Sequence, residues 1–130
     1  MSEQNITLVR NGYQAFATGD TESLMALFDD DVEWVQPGDS AISGTYRGKA
    51  ELMEFLMQLG QKSPTITPKS FLADGETVVV LSEAAIGGER GHSAEVYTLR
   101  NGKTVRVQVY GDTAMMERQY GRKPAAAVAD

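Results

Sequence analysis

The chain contains no cysteine, which excludes disulfides, thiolate metal sites and a cysteine nucleophile. It has one histidine, His92, and without a spaced second histidine no ligand set forms, so no metal is expected. Twelve Lys and Arg stand scattered among eighteen Asp and Glu, for a net charge of -6. No basic stripe is available to hold phosphates, so nucleic acid is not expected as a partner. No apolar run approaches the roughly 18 residues of a membrane span. Residues 1–5 lack the basic-then-apolar layout of a secretory signal, so no membrane partner and a cytoplasmic location are expected. Walker, dinucleotide and Gly-x-Ser-x-Gly motifs are missing as well. No cofactor is expected.

What is present is patterned hydrophobicity over a length of about one domain, 130 residues. Ile6, Val9, Tyr13 and Phe16 recur at helical spacing and predict a helix over residues 4–17. Gly19 suits its left-handed end, and Asp20 or Thr21 caps a short second helix carrying Leu24, Leu27 and Phe28. Asp29-Asp30-Asp31 reads as a solvated break, since an acidic run opposes a helix C-terminal dipole. Residues 32–36 form a short strand, and residues 49–59 a third helix with Leu52, Phe55, Leu56 and Leu59 apolar.

Strands dominate the rest. Pro64 and Pro68 mark an edge segment, Asp74-Gly75 a hairpin, Gly87 to Gly91 a flexible stretch, and Asn101-Gly102 a turn between residues 94–100 and 104–110. Residues 1–120 make one α+β domain, three N-terminal helices on one face of an antiparallel sheet, and 121–130 a flexible tail. In the last strand Val105, Val107 and Val109 share a dry face, while Arg106, Gln108 and Tyr110 share a face suited to solvent or a second copy. A homodimer is expected through that polar face.

Several motifs in order resemble a SnoaL-like member of the nuclear transport factor 2 (NTF2-like) superfamily, which includes the ketosteroid isomerases. They are Tyr13-x-Ala-Phe-x-x-Gly-Asp20, Leu27-Phe-x-x-Asp-Val-Glu-Trp34, Ser43-Gly-Thr-Tyr-Arg-Gly48, Asp74-Gly-x-x-Val-Val-Val80 and Arg100-Asn-Gly-Lys-x-Val105, reaching to about Asp112. The resemblance implies a dimeric cone in which a strongly curved sheet and the helices enclose an apolar cavity. In the isomerases an aspartate base works with a tyrosine and a protonated aspartate. Here the base position carries Trp34, the tyrosine position falls at Gly12 with Tyr13 one residue on, and only the acid persists, as Glu95.

Glu95 is the strongest candidate for chemistry, because it shares a strand face with Tyr97 and Leu99. A carboxyl facing a dry cavity is fitted to move a proton or hold a ligand's polar group. His92 joins it as an acid–base partner if a bulge near Gly91 turns both inward; otherwise it is a surface histidine. Asp112, after the last strand, is a candidate base or the cap of the following turn. Trp34 offers a flat wall and Gln36 a polar handle on the same strand face. Tyr13 lies on the apolar helix stripe, and Tyr46 in a loop over the presumed mouth. With Tyr97, Val107 and Val109 these form the expected ligand contacts. The expected ligand is a small hydrophobic, cyclic molecule. Turnover, if present, is of a cofactor-free isomerase, cyclase or lyase type; a non-catalytic binder or a dimeric scaffold are the alternatives.

Overall fold

The computed structural model describes residues 2–124. Its elements run α1 (Ser2–Thr18), α2 (Thr21–Ala26), β1 (Phe28–Gln36), β2 (Gly44–Arg47), α3 (Gly48–Gly60), β3 (Thr65–Asp74), β4 (Thr77–Ile86), β5 (Glu89–Arg100), β6 (Lys103–Gly111) and α4 (Thr113–Tyr120). Six strands form one curved, unclosed sheet in the order β2-β1-β6-β5-β4-β3. The fold is the expected α+β, NTF2-like architecture, with helices over the inner face of the sheet.

Local chemistry sets the boundaries. Gly19 adopts φ +71, and Asp20 Oδ1 accepts from the Ser23 amide at 3.1 Å, so α1 stops and α2 starts within two residues. Asn101 and Gly102 both take positive φ, as a two-residue β5–β6 turn requires. Gly87 and Gly88 do the same between β4 and β5. The stretch read as flexible is therefore a tight turn, with Glu89 to Gly91 already inside β5.

Other departures from expectation have physical causes. Phe28 to Asp31 belong to β1, not to a helix and a break: the ladder to β6 is irregular between Phe28 and Glu33, which leaves the aspartates in solvent while the chain stays extended. The sheet is antiparallel except where β1 pairs β6 in parallel. Everything from β2 to β5 lies between those two strands, which gives the long connection that parallel pairing needs. A fourth helix, α4, follows β6, started by Asp112 Oδ1 accepting from the Met115 amide at 2.9 Å. In β6 an irregularity beside Thr98 and Leu99 turns Thr104, not Val105, inward with Val107 and Val109. Tail residues are held where looseness was expected: Ala41 donates to the Gly121 carbonyl, and Lys123 to the Asp39 carbonyl. Residues 125–130 lie outside the described residues.

The core runs between the sheet and two helices, α1 over β3 and β4, α3 over β1 and β2. Phe55 of α3 is 1% exposed and packs its ring on Trp34 at 5.3 Å and Tyr46 at 4.9 Å. Phe55→Ala is expected to lower stability by about 3–5 kcal/mol. Met57→Ala, at an exposed site on the same helix, changes it by less than about 0.5 kcal/mol. Urea unfolding of both variants checks this, and equal effects would contradict it.

Candidate functional site

Register across β4, β5 and β6 assembles the site. The inner face carries Ser82, Ser93 and Gly111 in one row, Val80, Glu95 and Val109 in the next, and Val78, Tyr97 and Val107 in a third. Ser93 thus sits two residues before Glu95 on its own strand, and Ser82 is its diagonal neighbour across the ladder. Both reach it. Ser93 Oγ donates to Oε2 at 2.5 Å, and Ser82 Oγ donates to Oε1 at 2.8 Å. From the facing helix α1, the Tyr13 hydroxyl donates to Oε1 at 2.5 Å. Glu95 is 7% exposed, so a carboxylate buried in an apolar layer is held by three hydroxyls from three elements.

Beside this cluster lies a hollow of about 130 Å³. That is room for several waters or a ring-sized molecule. Its walls are mostly apolar: Leu24, Phe28, Leu59 and Ile86 among them, with Met115 and Met116 of α4. Gly91 lets α4 come close. A Cβ there would meet the Met115 sulfur and methyl at 3.0 Å. Polar groups are few, and Glu95, Ser93, Tyr13 and Gln36 line the space.

The ring hydroxyls are tuned by the same setting. Burial, then the neighbouring Tyr97 and Glu95, pushes the Tyr13 phenol well above its ordinary value. Burial, then Glu95, raises Tyr97 as well, and burial pushes Tyr120 up to about 12. Tyr13 and Tyr97 face each other edge to face at 6.1 Å. Both therefore stay neutral across the range where proteins work, and Tyr13 donates to Glu95.

Most expected residues gather here, but not all. Glu95, Tyr13, Tyr97, Trp34, Gln36 and Val109 line the hollow together. Trp34 Nε1 donates to Gln36 Oε1 at 3.2 Å, which occupies the oxygen of that handle and leaves its amide nitrogen as donor. His92 borders the hollow, yet the β4–β5 ladder is unbroken from Ile86 to Thr77, so no bulge turns it toward Glu95. It is exposed opposite Glu83 on the outer face, which corrects the pairing of the two. Asp112 also borders the hollow, but its carboxylate is spent on capping α4 and the residue is exposed. Tyr46 does not gate a mouth: its hydroxyl donates to the Ile42 carbonyl at 2.7 Å and its ring lies on Phe55. Val107 is fully buried beneath Trp34 and Tyr97 and forms core instead of wall.

Ser82 and Ser93 are the partners of Glu95 that sequence reasoning missed. For Ser93 a signal existed, a hydroxyl two positions from the acid on one strand face. Ser82 needed the register of a second strand. Among the described residues no group of His, Asp and Glu could hold a metal ion. Likewise, no helix is long and apolar enough to cross a membrane.

A family model described as the SnoaL-like domain matches residues 9–107. An uncharacterised protein of Mycobacterium tuberculosis is 31% identical over 105 residues, spanning 81% of this chain and 72% of that protein. Among solved structures, an NTF2-like protein from Burkholderia xenovorans is similar with a TM-score of 0.80 and 26% identity, over 92% of this chain and 98% of that one. TerC, co-crystallised with polyporic acid, is similar with a TM-score of 0.82 and 25% identity, over 90% and 98%.

The raised phenols set a sign for alkaline stability. In the unfolded chain they ionise near 10, while in the fold Tyr13 and Tyr97 stay protonated beyond that. Their contribution is complete below about pH 10 and is lost as pH rises further, because the unfolded state then binds fewer protons. Urea melts from pH 8 to 11 are expected to show that decline, less steep in Tyr97→Phe. A separate prediction concerns the tie itself: Tyr13→Phe removes one donor from Glu95 and costs about 1–3 kcal/mol. A melt unchanged by that substitution would contradict the tie.

Proposed function

Since this chain belongs to the SnoaL-like domain family of NTF2-like proteins, we propose that its hollow binds a small hydrophobic, ring-bearing ligand whose polar end meets Glu95 and Tyr13. One observation carries the reading: an apolar chamber with a buried, hydroxyl-braced carboxylate on its wall. Apolar walls supply affinity through area removed from water, and one fixed polar cluster supplies orientation. That the similar TerC was co-crystallised with polyporic acid supports a small organic ligand. Trp34 and Tyr97 offer flat surfaces for a ring.

A second reading is cofactor-free acid–base turnover of the isomerase, cyclase or lyase type. It is favoured by the spare acceptor capacity of Oε2, which takes only the Ser93 hydrogen bond. From there Glu95 would take a proton from one ligand atom and return it to another. Trp34 at the place of the isomerase base leaves Glu95 to serve both transfers, as base in the first and as acid in the second.

Titration with a panel of ring-bearing ketones and alcohols, followed by Trp34 fluorescence, is expected to give saturable changes. Met116→Phe, which adds bulk inside the hollow, should abolish them while the fold persists. If no compound gives a saturable response, the ligand reading is lost. For compounds that bind, Glu95→Gln leaves affinity within a few-fold in a binder but removes turnover in an enzyme.

The partner we propose is a second copy of the chain. Leu81, Ala94 and Tyr110 lie side by side on the outer face of β4, β5 and β6, with Leu81 44% and Tyr110 59% exposed. An apolar row on an open sheet face suits a two-fold contact. Sedimentation at high concentration showing monomer alone would remove it.

A further inference from the structure

A second space opens on the far side of Tyr13. It is a groove of about 590 Å³ between α1 and the edge strand β3, sharing Tyr13 and Ile66 with the hollow. We infer that this groove binds the anionic group of a small aromatic acid, at a site separate from the hollow and beyond the ligand reading given above. Arg10 of α1 and Lys69 of β3 both line it.

Three features support the inference. In a chain of net charge -6, no aspartate or glutamate lines this groove. Among the described residues neither Arg10 nor Lys69 has an ion pair; Lys62, Arg100, Lys103 and Lys123 have none either, but of these six only Arg10 and Lys69 line this groove. The geometry is also built. Lys69 is the extra residue of a bulge between Pro68 and Ser70, a device that re-aims a side chain. Arg10 is held with its guanidinium 4.6 Å from the centroid of the Phe71 ring, which orients the fork while leaving its N–H groups free for an acceptor.

The occupant follows from this chemistry. Two cations without acids call for a carboxylate or sulfonate, and Phe71, Ile66 and Pro68 beside them favour a flat apolar body. A lysine on an edge strand also guards against unwanted strand pairing. That role requires neither an arginine on the facing helix nor acid-free walls.

The test uses 1-naphthoate and its neutral analogue 1-naphthalenemethanol with the whole chain, read by backbone amide chemical shifts. Naphthoate is expected to shift the amides of Arg10 and of residues 69–71, weakening with salt. The double variant Arg10→Gln and Lys69→Gln should weaken that binding about tenfold or more. The charge-matched pair Lys62→Gln and Arg100→Gln, outside the groove, should leave it within about twofold. Lys69→Gln alone, at an exposed residue, provides the same comparison if the double variant folds poorly. Absent groove shifts, equal loss in both pairs, or equal groove binding of the neutral alcohol would each overturn the inference. Shifts confined to hollow residues, with a Trp34 response, would overturn it and leave the ligand reading of the hollow standing.

Discussion

A carboxylate buried between a sheet and a helix must be satisfied or the layers part, and Glu95 is the point where this fold meets that demand. An unpaired ionised group in an apolar layer costs several kcal/mol or more. Here Ser82, Ser93 and Tyr13 meet the cost from β4, β5 and α1. The tie therefore does two things at once. It fixes the helix over the sheet at one distance, and it stops the apolar side chains around it from closing the space beside the acid. A hollow next to Glu95 follows from holding Tyr13 by its hydroxyl instead of letting its ring settle into the core.

The rest of the sheet keeps that geometry. Trp34, Tyr97 and Val107 form one continuous inner row across β1, β6 and β5, because β1 enters in parallel beside β6. Phe55 then presses on Trp34 from α3. One end of the space is closed by α4, whose Met115 rests on the bare backbone of Gly91. From that helix Arg118 and Gln119 donate to Glu89 of β5, and the Tyr120 hydroxyl donates to the Leu59 carbonyl of α3. The helix is thereby tied both to β5 and to α3, so the flexible methionines it carries make a wall that adapts to shape without leaving its place.

Much of this architecture was legible along the chain, for reasons that are local. Helical spacing of Ile6, Val9, Tyr13 and Phe16 needs no partner to be read, and Asn101-Gly102 states its turn through φ alone. Glu95 beside Tyr97 and Leu99 followed from alternation. What stayed hidden depended on distant pairing. Asp29 to Asp31 carry no alternation, and the ladder to β6 skips them, so only the extended course of β1 from Phe28 to Glu33 reveals them as strand. Four residues of β2 are too few to announce themselves. Ser82 becomes a partner of Glu95 only through β4–β5 register, and the same unbroken register turns His92 away. Tyr13 was visible on the apolar stripe, but its bond to an acid 82 positions later was not.

The polarity of the two spaces around Tyr13 argues about what each can admit. Inside the hollow the polar end of a ligand would meet the Glu95 carboxyl, whose Oε2 keeps room for a hydrogen-bond donor, so an anionic acceptor gains nothing there. A group that donates a hydrogen finds a partner in Glu95. On the other side of Tyr13 the sign reverses, with Arg10 and Lys69 and no acid. Tyr13 and Ile66, which line both spaces, thus stand between an acceptor site and a cationic one. A neutral ring-bearing alcohol and an aromatic acid would therefore be sorted between the two spaces by donor and charge, before any difference in shape is consulted.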